Sequence, residues 1–304
     1  MTKTTTNLLL MLITILAGTY FYITCCSSCG APVEKEPVKE AVTPAPVTPV
    51  ATSYPFAFSD GDYAYNENDN YNFNMSSSSI LMPISSKVTD GIASLKTFLA
   101  ENAGKVINLT GYYKSDETNE SMFPNLGLAR ANAVKNHFVD NGIPSAQINT
   151  MGQLMDDMVA KDQIFLGPIA YGLADKAADA EDAMNALYDK ITANPLVLYF
   201  ETNQASINLS AEQRQKVADI SRYLDKVEGA MCSVVGHTDN VGRRAPNVRL
   251  GQERADFAKS YLAQNGIAEA KIKTSSEGPD SPVESNSTEA GRAKNRRTVV
   301  TLNK

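Results

Sequence analysis

An arginine stands where helical spacing calls for an apolar residue. Arg254 shares an i, i+4 line with Leu250 and Ala258, the stripe by which a helix faces a core. Drawing a guanidinium toward a core costs on the order of several kcal/mol unless an anion and further acceptors meet it. Asp239 is the companion the sequence offers, because a strand over 231–236 delivers it to the same end of a sheet. Spacing alone leaves two readings open: a ligand-binding arginine, or a structural ion pair or snorkelling side chain. His237 lies two positions before Asp239, and His-x-Asp could act as a base or a metal site. The chain has two histidines, His137 and His237, so a three-ligand zinc site would need carboxylates. No nucleophile motif stands beside His237, and His137, next to Phe138 on an expected helix, reads as structural. We expect no enzyme activity, no metal and no cofactor.

The elements that must position this pair follow from the pattern. Leu196-Val-Leu-Tyr-Phe200 reads as a buried strand. Ser210-Ala-Glu-Gln213 has the form of a capping box, and Val217, Ile220, Leu224 and Val227 carry a helix to about Gly229. A strand over 231–236, a loop over 237–247 and a helix through Leu250, Ala258, Tyr261 and Leu262, ending at Asn265-Gly266, come next. Lys271–Ser275 and Thr298–Leu302 complete the strands. Strands alternating with one-sided helices predict an α/β (α+β) sandwich.

Residues 72–150 repeat this order more weakly. Val88, Ile92, Leu95 and Leu99 predict a helix, and Val106–Thr110 a strand. Leu126-Gly-Leu-Ala-Arg130-Ala131 mirrors Leu250-Gly-Gln-Glu-Arg254-Ala255, and Asn141-Gly-Ile143 mirrors Asn265-Gly-Ile267 at the same offset, the mark of an internal duplication. Ala180, Met184, Leu187 and Ile191 predict a connecting helix over 174–193. The expected organisation is an anchor over 1–30, a disordered linker over 31–71, a degenerate first copy over 72–173, the connecting helix, and a second copy over 194–304. The stretch 53–74, rich in Asn, Asp and Tyr, takes no assignment.

With 304 residues and 43% hydrophobic content the chain can bury two cores. A net charge of −6 argues against nucleic acid, whose binders carry clustered Lys and Arg. Cys25, Cys26 and Cys29 close the N-terminal apolar run, and Cys232 on an expected strand reads as a buried, inert thiol. Leu8–Thr24 carries no charge and reaches the lower limit of a bilayer span, with Lys3 ahead of it and no basic residue until Lys35. A retained transmembrane anchor fits its length and the Tyr20-Phe21-Tyr22 belt. The following cysteines keep a lipoprotein signal open, although Tyr-Ile-Thr before Cys25 suits lipidation poorly; simple cleavage is the third reading. The Pro-, Val- and Glu-rich run over 31–52 reads as an extended tether.

Gly236-His-Thr-Asp-Asn-Val-Gly242, Asn247-Val-Arg-Leu250, Arg254-Ala255 and Gly291-Arg-Ala-Lys-Asn-Arg-Arg-Thr298, in that order over residues 195–304, resemble the C-terminal domain of the OmpA family. The resemblance implies a β/α sandwich, here in tandem, that binds the diaminopimelate-containing peptide of peptidoglycan without covalent chemistry, in the periplasm and with possible outer-membrane association. Carried over residue by residue, it implies that Asp239 takes the ligand's amine and Arg254 its carboxylate, with Asn203, Thr238, Asn247 and Arg296 as further contacts and Arg297 as the alternative to Arg296. The usual serine after Leu250 is Gly251, a departure expected to weaken a helix cap. In the first copy the position of Asp239 holds Lys114 or Ser115, and Asp116 could substitute only with a changed loop, so Arg130 is expected to lack an acidic partner. No Gly-Arg-x-x-Asn-Arg-Arg run follows Ile148 either. That copy is expected to serve packing or envelope-protein partners; the rival function for the whole chain is a scaffold with a vestigial wall site.

Overall fold

A computed structural model describes residues 3–26, 50–199 and 209–303. Most of the proline-rich tether and Asn203 lie outside these ranges. The chain divides into two compact units, Met1–Thr48 and Pro49–Lys304. The first holds helix α1 (Lys3–Phe21), which passes into a π-helical turn at Tyr22–Cys26. The apolar run Asn7–Cys25 spans 19 residues. At 1.5 Å per residue that is about 28 Å, close to the hydrocarbon thickness of a bilayer. Its leucines and isoleucines are exposed on every side, so nothing in its own unit buries them.

The second unit contains two lobes of like design. In chain order the first comprises strands β1 (Phe56–Asp60), β2 (Tyr63–Glu67) and β3 (Phe73–Asn74), helix α2 (Ser86–Glu101), β4 (Lys105–Tyr113), α3 (Leu126–Asp140), β5 (Ile148–Leu154), β6 (Ile164–Phe165) and β7 (Ile169–Asp175). Helix α4 (Ala180–Ala193) leads to the second lobe. It comprises β8 (Leu196–Tyr199), α5 (Ala211–Lys226), β9 (Met231–His237), α6 (Arg244–Gln264), β10 (Ile272–Gly278), α7 (Glu289–Asn295) and β11 (Arg297–Asn303). In the first sheet β4 lies between parallel β5 and antiparallel β7. In the second, β9 lies between parallel β10 and antiparallel β11, and β8 adds beyond β11. The tandem α/β sandwich expected from the sequence is present.

Local chemistry sets the helix ends. Ser210 accepts from the Gln213 amide while the Gln213 side chain accepts from the Ser210 amide, the expected capping box, and Gln213 also donates to the Val197 carbonyl of β8 at 2.7 Å. The repeated Asn-Gly-Ile is one helix stop used twice. The amides of Gly142 and Ile143 donate to the carbonyls of Val139 and Phe138, and those of Gly266 and Ile267 to Ala263 and Leu262. Both glycines hold positive φ, +89° and +97°, the left-handed conformation this stop requires.

Two expectations need correction. The disordered linker cannot extend to 71: Phe56–Asp60 and Tyr63–Glu67 pair as a β-hairpin about Gly61, whose φ is +57°. Phe56, Phe58, Tyr71 and Phe73 enter the first core, with Tyr171 against Phe56 at 4.7 Å. The alternating aromatics bury one side of the hairpin at a period of two, which a search for helical period passes over. The second correction is the loop expected over 237–247, because α6 already begins at Arg244.

The lobes are not separate beads. Met122, Phe123 and Ala129 of the first lobe belong to the second lobe's core, together with Leu198, Ile220, Leu224, Val234 and Val300. Buried Lys135 on α3 pairs with Asp225 on α5 at 2.5 Å, and Lys226 donates to the carbonyls of Ala146 and Ile148. The connecting helix expected over 174–193 begins later, because β7 runs to Asp175 and α4 starts at Ala180; it lays Ile191, with Met184 and Leu187, on the same second core. Cys232 is fully buried there, and burial pushes its thiol up to about 11, the inert thiol expected.

Candidate functional site

The site sits where β9 ends beneath α6. A Cβ on Gly236 would fall 1.9 Å from the Gly251 carbonyl oxygen, so strand and helix touch backbone to backbone. Gly251 therefore serves this crossing and not a helix cap; it lies well inside α6, and the expected cap loss does not arise. The close crossing lowers Arg254, one turn further along, onto the strand end. There it is 4% exposed and its Nη1 donates to the His237 carbonyl at 3.3 Å. Asp239 follows two residues later in the chain, 15% exposed, and its charge acts on Arg254. The two residues singled out by sequence lie at one end of the sheet, within electrostatic reach of each other.

Neighbouring residues shape the Asp239 loop. Thr238 donates to the Asp239 carbonyl at 2.9 Å, and the Asn247 amide donates to the Val241 carbonyl at 3.0 Å and that of Asp239 at 3.4 Å. Both were expected as ligand contacts; in this geometry their donors hold the loop. Asp239 Oδ1 accepts from the Val241 amide at 3.0 Å. Arg296, at the junction of α7 and β11, bonds Asp239 Oδ2 at 3.0 Å and Glu289 Oε1 at 2.9 Å. Of the adjacent arginines, Arg296 therefore reaches Asp239, whereas Arg297 donates to the Ser281 carbonyl at 3.2 Å.

Sequence reasoning missed Glu289 and the role of Asn295. Asn295 is fully buried, accepts from the amides of Val283 and Glu284, and donates to the Glu284 carbonyl and Asn286, so it staples the 283–286 loop that precedes α7. The signal was a lone Asn before two arginines; without α7 in view it had no address.

Charge in the pocket is unevenly balanced. Burial works to lower the Arg296 pKa, but its bonds to Asp239 and Glu289 outweigh it and the group is raised. Arg254 goes the other way, lowered chiefly by burial and further by Arg296, with Asp239 opposing. Arg297 is lowered by burial as well. Guanidinium groups stay protonated near neutrality, so Arg254 and Arg297 remain cations in spite of the cost of burial. His237 is lowered by burial and by Arg297, with Glu277 opposing at 3.8 Å. No group of three or more His, Cys, Asp or Glu suited to a metal occurs among the described residues.

The first lobe repeats the frame and changes the chemistry. A Cβ on Gly111 would fall the same 1.9 Å from the Gly127 carbonyl oxygen, and Arg130 Nη1 donates to the Tyr112 carbonyl at 2.8 Å. Contrary to expectation, Arg130 has an acid. Glu117 takes both its Nη groups and also accepts from the amides of Ser76 and Lys114. Arg130 further donates to the carbonyls of Ser77 and Asn74 and lies near the rings of Phe73 and Phe165, and neither charged side chain of the pair is exposed. His137 accepts or donates a 2.7 Å bond with Tyr71, the structural role expected.

Comparison with known proteins agrees with the frame. The OmpA family matches residues 72–164 and 199–296, one segment per lobe. The probable lipoprotein YiaD of Escherichia coli is 30% identical over 142 residues, covering 45% of this chain and 65% of that protein. The peptidoglycan-binding protein ArfA of Mycobacterium tuberculosis is 36% identical over 138 residues, covering 45% and 39%. The chain thus spans less than two thirds of either relative. The structure of the peptidoglycan-associated lipoprotein from Burkholderia pseudomallei aligns at 26% identity and a TM-score of 0.32, covering 35% of this chain and 89% of that one.

Proposed function

The chain belongs to the OmpA family, and we propose that its second lobe, residues 195–304, binds peptidoglycan non-covalently through the diaminopimelate-containing stem peptide. Diaminopimelate carries an ammonium and a carboxylate on one stereocentre. In this reading Asp239 takes the ammonium, and the Arg254 fork takes the carboxylate, a bidentate grip that lysine would not copy. The carrying observation is geometric: the close crossing of α6 over β9 sets the buried Arg254 at the strand end that also delivers Asp239, so a guanidinium and a carboxylate stand at one end of the sheet. A zwitterionic ligand can address both. Thr238 and Asn247 then act as positioning residues for Asp239, and nothing in this binding calls for a covalent step. ArfA, by its name a peptidoglycan-binding protein, supports wall binding in general.

The apolar helix α1 holds the protein in an envelope membrane with both lobes in the periplasm, so that wall binding becomes a tether. Support comes from the length of the apolar run and from Lys3 ahead of it. Mass spectrometry of the mature N-terminus separates retained, lipidated and cleaved forms.

One observation favours the rival reading, an envelope scaffold with a vestigial wall site: both Asp239 oxygens already accept bonds, from Arg296 and the Val241 amide. Sacculus pull-down with the full chain, Asp239→Ala and Arg254→Ala distinguishes them. The proposal expects both variants to lose the wall, and undiminished pull-down by both removes it. Titration with meso-diaminopimelate that gives no saturable heat favours the scaffold.

A further inference from the structure

The seam between the lobes holds a second depression, which shares no lining residue with the Asp239 site. It is a cleft of about 210 Å³ built from 78–80 and 121–136 of the first lobe and from Gln264, Asn265 and Gly266 at the end of α6. Its lining carries four carboxamides, Asn132, Asn136, Gln264 and Asn265, and three hydroxyls, Ser78, Ser79 and Ser121, with Ile80 and Phe123 as apolar floor. No ionisable side chain lines it among the described residues.

We propose that this cleft is a saccharide-binding site. Carboxamides and hydroxyls each offer donor and acceptor together, which is what sugar hydroxyls and acetamido groups require. An ion entering here would lose hydration without meeting opposite charge, so phosphates, carboxylates and ammonium groups are disfavoured. A wholly apolar ligand would strand the amides. Half-buried Ile80 gives the C–H face of a pyranose ring an apolar neighbour, and the cleft is well above the minimum for holding a water.

Three of the polar groups are held before any ligand arrives. The Asn132 amide donates to the Leu128 carbonyl at 2.9 Å and that of Asn265 to the Tyr261 carbonyl at 2.8 Å, which leaves their oxygens as acceptors. Ser121 is held by Asn119 at 2.6 Å. Asn136 sits against the second lobe's turn, where a Cβ on Gly266 would come within 2.4 Å of its amide nitrogen. The cleft therefore exists because the two copies dock, and a single copy could not form it.

Resting on the wall-binding reading, the natural saccharide is the amino-sugar strand of the wall, with the stem peptide held at Arg254. The test is a saturation-transfer NMR titration of the full chain in detergent with a peptide-free β-1,4-linked N-acetylglucosamine tetramer. Saturable binding is expected, weakened about tenfold or more in Asn136→Ala/Gln264→Ala by the loss of two amides at ~1 kcal/mol each. Arg254→Ala should bind the tetramer as the native chain does. Absence of saturable tetramer binding, or equal affinity in the double variant, overturns the cleft. Tetramer binding in a chain that ignores meso-diaminopimelate upholds the cleft and strikes the peptide reading alone.

Discussion

Arg130 and Arg254 occupy matching turns of matching helices, and each donates to the carbonyl at the end of the strand it crosses. In the first lobe Glu117, two further carbonyls and two aromatic rings complete the guanidinium's surroundings, and solvent is excluded. The second lobe keeps the acid at the rim, shared with Arg296, while burial depresses Arg254. The lesson is that one frame can give its arginine different electrostatic surroundings. Glu117 grips both Nη groups of Arg130, whereas Asp239 bonds Arg296 and acts on Arg254 through its charge.

The largest effects should come from exchanging readouts between the two arginines. Arg130→Ala strands Glu117, and breaking a buried pair costs about 3–5 kcal/mol, so denaturant unfolding should shift strongly while sacculus binding survives. Arg254→Ala should do the reverse: binding weakens by about 2–5 kcal/mol, as for truncating a buried interfacial charge, with stability within about 1 kcal/mol of the native chain. If Arg130→Ala abolishes pull-down in a folded chain, the division of labour between the lobes is wrong.

Next in size are the two crossings. Gly111→Ala and Gly236→Ala each drive a methyl into a helix carbonyl, an overpacking of about 1–3 kcal/mol. Equal destabilisation is expected, but only Gly236→Ala should also weaken wall binding, because α6 carries Arg254. Asn247→Ala loosens the Asp239 loop through the loss of its bonds to Asp239 and Val241. At ~1 kcal/mol for a hydrogen bond, affinity should fall about fivefold with unfolding little changed, and an unaltered affinity would deny it a positioning role.

The smallest effect is shared. Burial depresses His137 and His237 below their ordinary 6.5, with Arg297 adding at His237. As pH falls, the unfolded chain takes up these protons first, so stability is full above pH 6.5 and declines below it until the folded-state pKa is passed. Denaturation midpoints from about pH 7 to about pH 5 should fall, and His137→Gln/His237→Gln should flatten that slope.

Much of this was legible in the chain because it is local. Periodicity placed α2, α5 and α6, the internal repeat placed α3, the capping box sat where Ser210 and Gln213 put it, and Asn-Gly-Ile twice marked one hydrogen-bonded stop. Arg254 announced itself by sitting on an apolar stripe. The hairpin over Phe56–Glu67 was also within reach, since Phe56, Phe58, Tyr63 and Tyr65 alternate around Asp60-Gly61-Asp62, but its period is that of a strand. Strand β7 and helix α7 were not found, because their short runs lack a periodic stripe.

By itself the sequence determined helices α2 to α6, the strands between them in the second lobe, the duplication, the burial of Cys232 and the presence of Arg254 on an apolar stripe with Asp239 as its candidate companion, all of which depend on residue type and short-range spacing. Only the tertiary structure decided which acid meets which arginine. Glu117 reaches Arg130 and Arg296 reaches both Asp239 and Glu289 because loops of particular length fold back over strand ends, and loop geometry carries no periodic signature. Docking of the two copies, with Lys135 on Asp225 and Met122 and Phe123 lodged in the other lobe's core, was equally invisible. Each of those contacts joins residues far apart in the chain, and their selection depends on the whole surface that both lobes bury together.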